Sequence, residues 1–230
     1  MEKIIKNLEK YYKKLSKDDY LGEKILSIQR FNEVLLRLQI RKDEVTNSEK
    51  KLYKWEEREE SLEELQTSFI NKTESFHQQI YATISTFSML LKYVASNDFK
   101  RGMPIRSNKK FLFFLIDKYK KLENDIRTLE LSRSFRTKFD HIQQNPLFDW
   151  LTESLEERCT IVFFLSKTND GTCFPGNPLD SYSLDYYLSG KPKRVGPPVN
   201  CESYYISPHH EDIYKAVINV FVSIIKDICK

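Results

Sequence analysis

Seven of the eight prolines lie at or beyond Pro146, and four of the six glycines lie at or beyond Gly171. The first 145 residues are therefore almost free of helix breakers, and long helices are the structures open to them. The remainder carries the turn-formers and must fold in a different style. Apolar residues make up 40% of the 230-residue chain, enough for a sizeable core, while 30% are charged, a level typical of helices with a wet outer face.

Apolar spacing divides the first part further. Ile4, Ile5, Leu8, Tyr11, Tyr12 and Leu15 fit a short amphipathic helix that ends before Asp18-Asp19 and Gly22. From Leu21, the series Ile25, Ile28, Phe31, Leu35 and Leu38 is helical in period. Val45, Leu52, Trp55, Leu62 and Phe69 continue it at heptad-like spacing. Glu59 and Gln66 interrupt that seam, so a long self-sufficient coiled coil is excluded. Asn47-Ser48 offers a break with a new cap. Between Arg41 and Glu64 there are 6 basic and 9 acidic residues, the composition of a solvated, projecting helix or helix pair.

A next helix carries Phe76, Ile80, Ile84, Phe87, Leu91 and Val94, with Asn71 and Glu74 placed like a capping box at its start. Residues 96–107, with Gly102 and Pro104, read as a connection. The helix after it shows the cleanest stripe: Phe111, Leu115, Tyr119, Leu122, Ile126 and Leu129. Continuing that stripe by four and by seven residues reaches Arg133 and Arg136, so an apolar face turns basic near the helix end. An anion site would account for the change. Solvated cations near the negative end of the helix dipole are the alternative reading.

Asn145-Pro146 closes this segment. Leu147 to Arg158 reads as a short helix. Thr160–Leu165 reads as a buried strand or the end of a buried helix, and Ser203–Ile206 as a second strand. Residues 169–200 form a turn-rich insertion, long for a compact domain and so functional or mobile. Glu211 to Cys229 is a closing helix with a wide apolar face.

Charge is unevenly placed. Asp98 to Gln144 holds 12 Lys/Arg against 6 Asp/Glu, whereas Asn145 to Gly190 holds 2 against 7. The net charge of +4 is too small to diagnose nucleic-acid binding, but the basic excess falls on the segment holding Arg136 and His141. The longest apolar run, Phe111–Ile116, is far short of a membrane span. Cys159, Cys173, Cys201 and Cys229 are separated by 14, 28 and 28 residues, which matches no CxxC-type spacing. With no secretory signal after Met1, the expectation is a cytoplasmic protein with free thiols and no membrane segment.

The chemistry-bearing stretch is Phe135-Arg136-Thr137-Lys138-Phe139-Asp140-His141-Ile142. Histidine exchanges a proton near neutral pH, and the arginine fork fits a phosphate while staying charged. RNA supplies its own nucleophile, the ribose 2′-hydroxyl, so an Arg–His pair can drive its cleavage without a metal. Five residues along a helix turn the chain by about 500°, which leaves the two side chains roughly 140° apart. A twofold dimer overcomes this by bringing two arginines and two histidines to one cleft.

Arg-x4-His near the end of a long helix, in an all-helical chain, resembles the HEPN superfamily, whose signature is Arg followed four to six residues later by His. The resemblance covers roughly Thr73 to Arg158 plus the last helix. It implies a mainly α, HEPN-like helical bundle over residues 71–230, with residues 1–70 as a charged helical extension. It also implies a homodimeric, metal-independent endoribonuclease or RNA-binding protein, possible partners being RNA and an antitoxin, in a toxin–antitoxin or phage-defence system. Arg136 would hold the phosphate and His141 would be the acid–base. The residue after the arginine is commonly a polar group such as Asn in that family, and here it is Thr137. Arg133, Lys138 and Thr137 would be further RNA phosphate contacts.

Other constellations are weaker. Cys201, His209, His210, Glu211 and Asp212 suggest metal ligands, but histidines followed by acids suit a helix start, and no metal or cofactor is expected. Gly190-Lys191-Pro192-Lys193-Arg194 lacks the spacing of a phosphate loop and reads as an exposed basic loop. The competing function is a non-catalytic interaction or sensor protein that binds a protein partner through its N-terminal helices.

Overall fold

The computed structural model describes residues 21–142, 153–155, 158–160, 162–167, 173–174, 201–206 and 208–228, with side chains described over 22–137 and 208–228. The protein is mainly α. Two 33-residue helices lead, α1 (Leu21–Tyr53) and α2 (Leu62–Val94), joined by a 3₁₀ turn at Trp55–Glu57. A one-turn helix α3 (Asn97–Lys100) follows, then α4 (Asn108–Lys118), a 3₁₀ turn at Lys120–Leu122 and α5 (Glu123–Ile142). Five short strands precede the closing helix α6 (His210–Ile228): β1 (Glu153–Leu155), β2 (Arg158–Thr160), β3 (Val162–Lys167), β4 (Cys173–Phe174) and β5 (Cys201–Ile206).

The chain forms two compact units. The first comprises residues 1–46, 72–133 and 210–230; the second comprises 47–71 and 134–209. The first is a helical bundle. Its centre is an aromatic cluster to which α1, α2, α4 and α6 each give one ring. Phe87 stacks on Phe221 at 4.0 Å between centroids, lies 5.3 Å from Phe31, and meets Phe111 edge-on at 6.3 Å. All four rings are buried, as are Ile28, Leu35 and Leu38 on α1. Residues 21–46 therefore belong to the bundle core. A division at residue 70 cuts through helices whose apolar stripes pack together. Much of the charge that suggested a projecting extension is exposed, although Glu49 is buried.

Polar side chains fix the helices locally. Ser107 caps α4, accepting from the Lys110 backbone N–H. Asn108 then donates from Nδ2 to the Tyr81 carbonyl at 3.0 Å and accepts from Ser85 Oγ at 3.0 Å, tying α4 to α2. Gly102 sits at φ 77°, a backbone angle that favours glycine, in the turn after α3.

The second unit holds the end of α1, the start of α2, the end of α5 and the strands. Ser61 and Glu64 form a reciprocal capping box at the start of α2. Ser61 Oγ accepts from the Glu64 N–H at 3.2 Å, and Glu64 Oε2 accepts from the Ser61 N–H at 2.8 Å. β1 and β2 make an antiparallel ladder, with Glu153 opposite Thr160. β3 lies between β4 and β5, antiparallel to both, and a register shift at Leu165/Ser166 interrupts the β3–β5 ladder.

Several local expectations are corrected. Asn47-Ser48 does not break α1, which runs on to Tyr53 with Ser48 buried. Asn71 and Glu74 lie inside α2, because the box that starts this helix is Ser61…Glu64. The stripe from Phe111 to Leu129 belongs to two helices, since Tyr119 leaves helical angles at φ −130°, ψ 65°. Within 147–158, residues Glu153–Leu155 are strand, as is Arg158 at the start of β2. Within the expected strand, Thr160 closes β2 and Val162–Leu165 belong to β3, so the strand reading holds for these residues, and β5 covers the expected second strand at Ser203–Ile206. The expected helix over 1–17, the stop at Asn145-Pro146, and the 169–200 insertion apart from β4 lie outside the described residues.

Candidate functional site

α5 carries every residue the sequence singled out for RNA chemistry. Its buried line is Ile126, Leu129, Ser132 and Phe135, advancing by threes. Arg133 and Arg136 sit one residue beyond Ser132 and Phe135, on the half-buried flank of that line. The stripe therefore does not turn basic; it shifts by one residue to keep Ser132 and Phe135 inside.

Arg133 is committed locally. Its Nε lies 2.6 Å from Glu130 Oε2 and a terminal nitrogen 2.7 Å from Oε1, a two-pronged pairing between residues three apart. The Glu130 hydrogen bond holds the guanidinium above its ordinary value, against the opposing pull of burial. Arg127, four residues after Glu123, donates from Nε at 2.9 Å and Nη2 at 2.6 Å to the single oxygen Glu123 Oε1. Two of the basic residues on α5 are thus neutralised by acids on the same helix.

Arg136 is half-buried, and its Nε is withdrawn from solvent; Thr137 is likewise half-buried. The backbone of Lys138 and His141 continues the same helix, while their side chains lie outside those described. Because α5 is unbroken from Glu123 to Ile142, Arg136 and His141 remain on one continuous helix. Their five-residue separation still places them about 140° apart around its axis. No turn falls between them to bring both onto one face.

The sequence reading missed a buried polar constellation in the bundle. His77 on α2 and Ser132 on α5 are both wholly buried, with His77 Nδ1 2.8 Å from Ser132 Oγ. His210, at the start of α6 and also buried, places Nε2 2.9 Å from Thr46 Oγ1 on α1. The Phe76 ring meets both imidazoles edge-on, at 5.9 and 6.3 Å. Burial pushes His77 down to about 3; a hydrogen bond to the Ser132 backbone opposes that, and the nearby His210 adds to it. At neutral pH this imidazole is uncharged. His77 lies next to Phe76 and three residues before Ile80, at the spacing of the buried face, and that spacing was the available signal.

Around α6, Lys42 Nζ lies 2.7 Å from Glu211 Oε1, and Glu211 raises the lysine above its ordinary value. The Tyr214 hydroxyl donates to Gln39 Oε1. Glu211 and Asp212 occupy the first turn of α6, as expected of acids at a helix start. In the second unit, His209 Nε2 lies 3.0 Å from Glu49 Oε1 on α1.

Two features of the first unit face solvent. Between α1 and α2 runs an open groove of about 420 Å³, lined in part by Leu26, Arg30, Met89 and Tyr93. Leu26, Leu36 and Ile40 project from α1 at 46, 55 and 57% exposure. Among the described residues, no helix is long and apolar enough to cross a membrane. Comparison of the chain with protein-family models, with curated proteins and with solved structures finds no match.

Proposed function

We propose that this chain binds RNA at the C-terminal end of α5 and cleaves it without a metal, as a homodimer of the HEPN type acting in a toxin–antitoxin or phage-defence setting. The observation that carries this reading is the placement of Arg136 and His141 five residues apart on the last turns of one unbroken helix. Arg136 supplies the fork for a phosphate, and its partly desolvated guanidinium attracts an anion more strongly than a fully hydrated one. His141 removes the 2′-hydroxyl proton, and a second His141 from the other copy returns a proton to the leaving oxygen. Two copies are required, because one helix points the two side chains in different directions. Arg136 and Lys138 carry the phosphate contacts, with the Arg133–Glu130 pair one turn before Arg136.

The test is cleavage of a mixed-sequence RNA by the full chain in the presence of a chelator, read on a gel. Activity that persists with chelator and disappears in Arg136→Ala and His141→Ala, with both variants still folded, supports the reading. Equal behaviour of the variants and the unsubstituted protein overturns it.

A second reading has its own observation. Leu26, Leu36 and Ile40 form an exposed apolar face on α1, the kind of surface through which a non-catalytic interaction protein engages a partner. On this reading, substitutions on α1 abolish function and those on α5 do not.

A further inference from the structure

α1 carries two heptad-spaced seams. The inner one, through Ile28, Phe31, Leu35, Leu38 and Val45, is buried in the bundle. The outer one runs Gly22, Leu26, Gln29, Glu33, Leu36, Ile40, with alternating steps of four and three, and all six positions are exposed. A strict 4–3 alternation is what a partner helix reads, because it keeps one narrow line of side chains facing it. Leu26, Glu33 and Ile40 take the a positions of this seam, and Gly22, Gln29 and Leu36 the d positions.

We infer that this outer seam is an interface between two copies of the chain, with the two α1 helices paired antiparallel about a twofold axis near Arg30–Asn32. The pairing is dictated by the side chains. In an antiparallel pair each a residue packs against a d residue of the other helix. Leu26 then meets the partner's Leu36, Glu33 meets the partner's Gln29, and Ile40 meets the partner's Gly22. Each layer occurs twice. The two polar positions satisfy one another, the Gln29 amide donating to the partner's Glu33 carboxylate.

The flanking charges agree with that register. At the e positions, Glu23 lies opposite the partner's Arg37, an ion pair formed twice. Glu23 also lines the groove between α1 and α2, so the partner's Arg37 is received at its mouth, with Met89 beside it. Arg30 faces its own copy near the axis. That is the one unfavourable pair, and the two Glu33 carboxylates lie one turn away from it.

The alternatives fare worse. A parallel pairing sets Glu33 against the partner's Glu33 and forms no flanking ion pair. A heterologous partner would owe nothing to the match between Gln29 and Glu33 or between Glu23 and Arg37. The seam spans 19 residues, about 27 Å of helix. An interface of that size lies at the low end for stable complexes, so the dimer is concentration-dependent, with a Kd on the order of micromolar. The inference uses no residue of α5; it shares with the RNA reading the need for two copies, and the α1 variants separate the two because they alter this seam and leave α5 untouched.

Sedimentation of the full chain over a concentration series tests it, with Glu23→Arg, Arg37→Glu, the two combined, and Leu36→Glu. These residues are exposed, so the fold is retained, and circular dichroism checks that. The expected result is a dimer that each single charge reversal weakens about three- to tenfold, that the combined reversal restores, and that Leu36→Glu weakens by more than about tenfold. A full chain that stays monomeric, as it would if residues 1–20 covered the seam within one molecule, overturns the inference. So does a dimer indifferent to Leu36→Glu, or one that the combined reversal fails to restore. RNA cleavage measured on the same variants reports separately on the α5 reading.

Discussion

His77 Nδ1 and Ser132 Oγ lie 2.8 Å apart with neither residue exposed to water, and this contact joins the middle of α2 to the middle of α5. A hydrogen bond in such a place is worth little net while it is made and costs much more when one partner is removed. Ser132→Ala is therefore expected to lower the unfolding free energy by about 1–3 kcal/mol, read from the urea midpoint at pH 7.5. A change below a few tenths of a kcal/mol would show that the imidazole finds another donor or acceptor without cost.

The same pair sets the response to acid. His77 titrates near 3 in the folded chain and near 6.5 when unfolded, so between those values the unfolded state holds more protons. The stability contributed by the neutral imidazole is complete above pH 6.5 and is lost as pH falls toward 3. The slope in that window is about 1.4 kcal/mol per pH unit. Urea midpoints at pH 7.5, 6.5 and 5.5 should fall most between the last two. His77→Asn, which has no titrating ring, should flatten the fall by about that slope. An unchanged pH profile would mean that other groups set it.

Phe87 touches three aromatic rings from three other helices, so its loss should be felt by the whole bundle. Phe87→Ala is expected to cost about 3–5 kcal/mol, the usual range for a large core ring, and Phe87→Leu clearly less. Equilibrium denaturation of both variants checks the order. If Phe111→Ala, at the edge of the cluster, costs more than Phe87→Ala, the cluster is not centred on Phe87.

Helix existence was legible because breakers are few before residue 145 and the apolar stripes of α1, α2, α4 and α6 repeat at helical spacing. Boundaries were less so. Ser61-x-x-Glu64 is a capping box by type and spacing, yet the apolar repeat on each side runs through it and hides the helix start. At Tyr119 the stripe continues in register across a backbone break, and periodicity does not register an interruption that preserves phase. Arg133 shows a different limit. Its partner Glu130 is only three residues away, a pairing the sequence displays openly. The stripe was extrapolated by fours and sevens, whereas the buried line advances by threes to Ser132. His77 shows the opposite limit, since its burial depends on Ser132, 55 residues away.

The Glu130–Arg133 pair also sets what Arg133 contributes to RNA binding. A cation that touches a nucleic-acid phosphate releases about one counterion, and its loss reduces the salt slope of binding by about one. Arg133 is held by both oxygens of Glu130 and contributes almost no net charge locally, so Arg133→Ala should leave that slope nearly unchanged. Arg136→Ala should reduce it by about one. Glu130→Gln, by releasing the Arg133 charge, should tighten RNA binding and steepen its salt dependence. Fluorescence anisotropy of a labelled single-stranded RNA at 50–300 mM salt, a range of about sixfold, measures all three. If Arg133→Ala weakens binding as much as Arg136→Ala, the Glu130 pairing opens when RNA arrives. RNA binding with a slope identical in all variants would place the phosphate contacts away from this end of α5.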